Sequence, residues 1–250
     1  TKAPVGHAIP TDLAEVGRRH RGAGSGGNLR AAVFGVNDGL VSNASLIMGV
    51  AGATSSVGGD AGVIVLSGVA GLLAGAFSMA AGEYVSVRSQ REMFEYQIGL
   101  ERAELDQYPQ EEAAELALIF AHKGMEKAEA RALADKLIAD PDRALDTLAR
   151  EELGLNPDEL GSPWSAAGFS FLSFSAGAAL PLLPFLFTGA GRALPVAIGL
   201  TAVALFGVGA TLSLFTGRSA GLGGLRMLAI GGAAGVGTYI IGKALGVTVA

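Results

Sequence analysis

The stretch AAVFGVNDGLVSNASLIMGVAGA, residues 31–53, is apolar over the length of a bilayer, yet it contains Asp38. A membrane-spanning helix needs about 20 apolar residues, because each residue adds about 1.5 Å along the helix axis. A carboxylate at the centre of a bilayer costs about 2.5–3.5 kcal/mol or more, and such acids usually serve a function. This stretch therefore predicts a membrane helix that carries a functional acid.

Four further stretches are long and apolar enough to span a membrane: 61–87, 164–188, 193–215 and 221–245. Only 16% of the residues are charged, against about 25% in soluble domains. The chain has no Cys, which excludes thiolate metal sites and disulfides, and its net charge of −5 argues against nucleic-acid binding. We therefore predict an all-α membrane protein with five transmembrane helices.

Basic residues predict the orientation of these spans. They concentrate in the polar segment 1–30 and in the segment 88–163, and the positive-inside rule places both in the cytoplasm and the C-terminus outside. Residues 1–30 lack the apolar core of a signal peptide, and we expect a flexible tail there. The predicted parts are this tail, spans one and two (31–87), a cytoplasmic helical module (88–163) and spans three to five (164–250).

The predicted module holds eighteen of the 23 acidic residues of the chain. Three pairs stand at i, i+3 and so share a helix face: Glu92 with Glu95, Glu101 with Glu104, and Glu112 with Glu115. Like charges at this spacing repel, whereas a divalent cation between them would bind, and carboxylate oxygens suit Fe²⁺, Mn²⁺, Mg²⁺ and Ca²⁺. A solvated acidic surface is the alternative, and we interpret His122 as a helix-end residue rather than a ligand.

Depth counting gives Asp38 a partner. Asp38 lies eight residues after Arg30 and Met79 lies nine residues before Arg88, so both lie about 12–13 Å from the same membrane surface. Glu83 follows Met79 by one helical turn, nearer the cytoplasm. A carboxylate with a thioether favours a transition metal over Ca²⁺ or Mg²⁺.

Two other interpretations of these membrane residues stay open. Met79 alone could be a packing residue, and Asp38 could tie helices together through Asn37, Ser42 or Asn43, of which Asn43 is also a further candidate ligand. A proton site is another, because a carboxylate in a low-dielectric environment readily holds a proton and can exchange it for a cation.

Two stretches, FGVNDGLVSNASLIMGVAGA and AGLLAGAFSMAAGEYVSVRSQRE, resemble the vacuolar iron transporter family in its bacterial form. The segments ERAELDQYPQEEAAELALIFAHKG and LDTLAREELGLNPDELGSPW are similar to it as well. The resemblance implies a homodimer of five-span protomers in a bacterial plasma membrane, which exports Fe²⁺ and often Mn²⁺ in exchange for protons. Co²⁺ and Zn²⁺ are further candidate cations, and we expect no prosthetic group.

Carried over by position, the resemblance places the intramembrane ligands of the family on Asp38 and Met79. It places the cytoplasmic metal-binding glutamates on five positions: Glu101, Glu104, Glu112, Glu115 and Glu152. The chain departs from plant members at Gly71, where they have a Glu whose role Glu83 would take over. It also departs at Leu148 and Ala149, where they have two methionines.

A second hypothesis comes from a different class of protein. A membrane-anchored ferroxidase, iron store or sensor could use the same acidic module without transport. Di-iron bundle proteins use Glu-x-x-His motifs, whereas this module has Glu-x-x-Glu pairs. The spacing therefore disfavours a di-iron protein, and the resemblance implies a proton-coupled metal exporter.

Overall fold

The computed structural model describes residues 26–55, 61–157, 160–188 and 190–249, which form helices and connecting turns with no strand among them. The helices are α1 (Gly26–Thr54), α2 (Ala61–Gln107), α3 (Pro109–His122), α4 (Lys127–Ile138), α5 (Pro141–Glu151), α6 (Pro163–Ala179), α7 (Leu183–Phe187), α8 (Ala190–Phe215) and α9 (Ala220–Val249). Residues 1–25 of the predicted flexible tail lie outside this description. The helix α1 begins at Gly26, so residues 26–30, which the sequence analysis assigned to the tail, are helical.

Five helical segments of the described chain are long and apolar enough to cross a membrane, which confirms the predicted number of spans. They are Ala32–Thr54, Ala61–Gln107, Pro163–Phe187, Arg192–Leu214 and Ala220–Gly246. The second is much longer than a bilayer requires, because α2 continues through residues 88–107, which contain no proline and no pair of adjacent glycines. The sequence predicted this continuation.

The third span is not one regular helix. After α6 ends at Ala179, the residues Leu180–Leu182 form a 3₁₀ turn, and the short helix α7 completes the span. Pro181 and Pro184 fall in this region, and a proline removes a backbone donor from the helix and clashes with the preceding turn. Pro195, in contrast, lies inside α8 without ending it.

The chain divides into two compact units, one combining the part up to Tyr84 with Trp164–Ala250, the other formed by Val85–Pro163. In the first unit, buried side chains of several spans form an apolar core that includes Ile47, Ile64, Leu182 and Phe185. The first and fifth spans approach closely: a Cβ added at Gly242 would collide with the carbonyl of Gly49. Small residues permit such close contact between membrane helices.

The unit Val85–Pro163 is a small helical bundle. Pro109 occupies the first turn of α3, and the Asp140 side chain accepts a hydrogen bond from the Arg143 N–H at 3.5 Å at the start of α5. Proline is common in the first turn of a helix, and Asp is common at the N-cap. The core of this helical unit consists of Leu105, Leu116, Ala117, Ala134, Ala144 and Leu148.

Candidate functional site

Three glutamates from three parts of the helical unit converge. Glu101 lies near the end of α2, Glu112 in the first turns of α3, and Glu152 directly after α5. One carboxylate oxygen of each lies within 4.8 Å of the others. A divalent cation with bonds of about 2.0–2.6 Å holds oxygens up to about 4–5 Å apart, so the three oxygens are close enough to bind one ion.

Burial makes this cluster costly without a cation. Glu101 and Glu112 are each only 5% exposed. The Oε2 atoms of both side chains are buried and accept no hydrogen bond from the part of the chain that the structure describes. A buried carboxylate without a partner is strongly destabilising, whereas coordination of a metal satisfies its oxygens and charge. The arrangement therefore suits a cation-binding site better than a structural network.

The protonation of the cluster reflects the same environment. Burial first, and then the repulsion of neighbouring glutamates, raises the pKa of Glu101 and the pKa of Glu112 to about 7 each. The pKa of Glu152 is raised as well, mainly by burial and then by Glu115 and Glu104. The cluster thus changes its proton content near neutral pH.

Glu104 and Glu115, the second members of two predicted pairs, surround this cluster rather than complete it. Both side chains are exposed, and their negative charges raise the pKa values of Glu101, Glu112 and Glu152. They could draw cations towards the buried oxygens. Each of these two pairs thus has one buried and one exposed member.

The third predicted pair lies apart from the cluster. Glu92 accepts a hydrogen bond from Arg88 at 2.6 Å, and Glu95 accepts one from Arg91 at 2.7 Å, all on the exposed surface. These are ordinary i, i+4 ion pairs of a helix surface. His122 is exposed at the last turn of α3 and is likewise not a member of the cluster.

Sequence reasoning missed Glu152, which only the family resemblance supplied. A signal was nevertheless available, because Glu152 follows the buried residues Ala144 and Leu148 at i, i+4 spacing. An acid that continues an apolar stripe is a candidate ligand. Leu148 and Ala149 are themselves fully buried, so they contribute to packing and leave oxygen atoms as the donors of the cluster.

A second site lies among the membrane spans. A cavity of about 320 Å³ is lined by Asp38, Ser42, Asn43, Leu46, Gly71, Gly75, Ser78, Met79 and Phe174. The structure thus brings Asp38 and Met79, which depth counting paired, onto one cavity. Glu83 is half-buried and is not among the lining residues.

Ser42 and Asn43 form hydrogen bonds, but not with the Asp38 carboxylate. The Ser42 hydroxyl donates to the backbone carbonyl of Asp38 at 2.6 Å, not to its carboxylate. Asn43 donates from Nδ2 to the carbonyl of Ala178 on the third span at 2.6 Å. Asn43 therefore ties two spans together, but not through the acid.

The five membrane-length helices define an integral membrane protein. It has two sites suited to divalent cations: the cavity with Asp38 among the spans, and the carboxylate cluster of the helical unit. The chain belongs to the VIT family, whose sequence model matches residues 29–243.

Relatives from plants and an amoeba share this similarity over most of their length. The chain is 33% identical to "Vacuolar iron transporter 1" of Oryza sativa subsp. japonica over 223 residues, which cover 88% of this chain and 86% of that protein. It is 35% identical to "Vacuolar iron transporter" of Acanthamoeba castellanii over 217 residues, with 84% and 76% covered. It is 36% identical to "Vacuolar iron transporter homolog 1" of Oryza sativa subsp. japonica over 255 residues, with 98% and 88% covered.

Proposed function

We propose that this protein is a secondary transporter, not an enzyme, that exports Fe²⁺, and also Mn²⁺, from the cytoplasm in exchange for protons. Membership in the VIT family, whose relatives are named iron transporters, supports metal transport. The cavity among the spans carries the proposal, because it combines the Asp38 carboxylate with the Met79 thioether. This donor pair suits a divalent transition metal better than Mg²⁺ or Ca²⁺.

In the proposed cycle, the helical unit Val85–Pro163 lies in the cytoplasm and its carboxylates collect the metal. The ion then reaches Asp38 and Met79, with Glu83 acting at the cytoplasmic entrance. Protonation of the acids from the far side displaces the ion, since a carboxylate that accepts a proton loses its charge and its attraction for the cation. Metal and protons thereby move in opposite directions.

The proposal includes an assembly and a setting. Two copies form a homodimer in a bacterial plasma membrane, with the N-terminus and the helical unit inside and the C-terminus outside. Co²⁺ and Zn²⁺ are secondary substrates. The protein uses no prosthetic group, because the transported ion itself occupies both sites.

The test measures metal and proton flux together. The purified protein is reconstituted into liposomes that contain a metal-sensitive dye and a pH-sensitive dye. Transport of Fe²⁺ (without oxygen), Mn²⁺, Co²⁺ and Zn²⁺ is then compared under an imposed pH gradient. We expect Mn²⁺ and Fe²⁺ uptake driven by the gradient, with protons moving oppositely. Asp38→Ala should abolish this flux while the protein stays folded, whereas Glu92→Ala, which removes an acid paired with Arg88, should leave it intact. Undiminished flux through the Asp38→Ala protein would contradict the pathway.

A further inference from the structure

Asn43 has a buried oxygen that its role as a helix tie does not explain. The side chain is 2% exposed, and its Nδ2 donates to the Ala178 carbonyl at 2.6 Å. A carbonyl can only accept a hydrogen bond, so the amide nitrogen must face Ala178 and the amide oxygen must face away from it. The orientation of Oδ1 is thus fixed by the third span.

This oxygen accepts no hydrogen bond from any residue that the structure describes. A buried acceptor without a donor costs about 1–3 kcal/mol, and an apolar residue of the same size would avoid that cost. Asn43 also lines the cavity that holds Asp38 and Met79. An unsatisfied oxygen beside a candidate cation site is the group that a cation would satisfy.

A glycine of the second span, Gly71, lies close to this oxygen. A Cβ added at Gly71, which also lines the cavity, would lie 3.1 Å from Oδ1 of Asn43. A side chain at Gly71 would thus press against this oxygen and would also collide with Cδ2 of Leu46, so the glycine lets the second span pass close to both. Asn43 lies five residues after Asp38, about 7.5 Å further along the helix axis, so the two side chains provide successive contacts rather than one shared shell.

We propose that the amide oxygen of Asn43 is a second, neutral contact for the transported divalent cation, deeper in the cavity than Asp38 and Met79. This inference builds on the proposed transport function. A neutral oxygen binds a cation more weakly than a carboxylate does and holds no proton at physiological pH. It can therefore receive the ion from Asp38 without trapping it, as conduction requires of successive sites.

The experiment compares two variants with a matched control in the full-length protein. Asn43→Leu keeps the size of the side chain and removes both the amide oxygen and the amide NH₂ group. Asn43→Asp keeps the shape, and its protonated form can still donate to Ala178 while presenting an oxygen to the cavity, but that oxygen now titrates. Thr201→Val is the control: it removes another buried oxygen without a donor among the described residues, from a different, apolar cavity.

Two measurements are made with Mn²⁺ as the probe. Flux into liposomes reports transport. The shift of the unfolding temperature by Mn²⁺ reports binding in the membrane, in a background of Glu101→Gln, Glu112→Gln and Glu152→Gln that removes the carboxylate cluster. We expect Asn43→Leu to lower flux and apparent affinity by about tenfold, Asn43→Asp to make both more pH-dependent, and Thr201→Val to change neither.

Either of two results would overturn the inference: both Asn43 variants behaving like the parent protein towards Mn²⁺, or Thr201→Val losing as much as Asn43→Leu. Failure of the proposed transport function gives a different result from these two. If the unaltered protein carries no ion, but the background without the carboxylate cluster still shows an Mn²⁺-dependent unfolding shift that Asn43→Leu abolishes, transport is refuted and the binding contact stands.

Discussion

The buried glutamates show how one side chain can be costly for folding and useful for binding. Glu101 and Glu112 carry pKa values raised to about 7 because burial and neighbouring acids disfavour their charged forms. In an unfolded chain the same groups titrate near 4.5. Between these values the folded protein binds more protons than the unfolded protein, so its stability falls as the pH rises.

The first prediction concerns the pH dependence of metal binding to this cluster. A cation binds the deprotonated glutamates, so binding between pH 4.5 and 7 must release protons. We expect the Mn²⁺ affinity to fall by about tenfold per pH unit, for each proton displaced, as the pH decreases below about 7. Calorimetric titration in buffers of different ionisation enthalpy measures both the affinity and the protons released. An affinity that is constant from pH 5 to 8 would contradict the prediction.

The second prediction separates binding from stability at a single residue. Glu101→Gln removes one negative charge from a buried cluster, so above pH 7 the metal-free protein should become more stable, with a higher unfolding temperature. The same change should lower Mn²⁺ affinity by at least about tenfold, because a ligand charge is lost.

Glu95→Gln serves as the matched control for that change. Glu95 is exposed and paired with Arg91, so its replacement should alter neither the affinity nor, beyond about 0.5 kcal/mol, the stability. A Glu101→Gln protein that is less stable and binds Mn²⁺ normally would show that Glu101 has a structural role instead.

At the scale of elements, the spans were predictable because length and apolar composition alone define them. The observed fourth span, Arg192–Leu214, differs by one residue at each end from the predicted 193–215. The i, i+3 pairs of acids, in contrast, have the same spacing whether or not they belong to the metal-binding cluster. Arg88 and Arg91 stand four residues before Glu92 and Glu95, and this local signal could have assigned that pair to the helix surface.

The composition of the cluster was not predictable from spacing. Glu101, Glu112 and Glu152 come together only because Leu105, Leu116 and Leu148 pack into a common core. Such contacts between distant parts of the chain have no local periodicity. Asn43 illustrates the same limit in the membrane, since its orientation depends on the carbonyl of Ala178.

The third prediction concerns the contact between the first and fifth spans. A methyl group at Gly242 would collide with the backbone carbonyl of Gly49, and backbone cannot move aside without separating the helices. We expect Gly242→Ala to destabilise the protein by about 1–3 kcal/mol, seen as a lower unfolding temperature in detergent. Gly232→Ala, on the same helix but with open space around its Cβ position among the described residues, should be tolerated. Equal effects of the two substitutions would contradict the packing argument.

At the scale of the whole molecule, a single copy leaves features that a second copy would cover. Asp38 is exposed in the isolated chain although it lies in a membrane span. Facing lipid, this carboxylate would cost about 2.5–3.5 kcal/mol or more. On the second span, Leu66, Leu73 and Phe77 stand at i, i+7 and i+11, which places them on one face, and they are 71%, 47% and 64% exposed.

The fourth prediction is that two copies meet along this face of the second span. Because the chain contains no Cys, a single introduced thiol reports its own surroundings. We expect Leu73→Cys and Phe77→Cys to give covalent dimers in membranes treated with a short bismaleimide, since both positions would lie near the axis between the copies. Val203→Cys, on the fourth span and 73% exposed, should react with a monofunctional maleimide but stay monomeric. Dimers formed equally from Val203→Cys, or from neither second-span position, would refute this interface, because lipid rather than a second copy would then face Leu73 and Phe77.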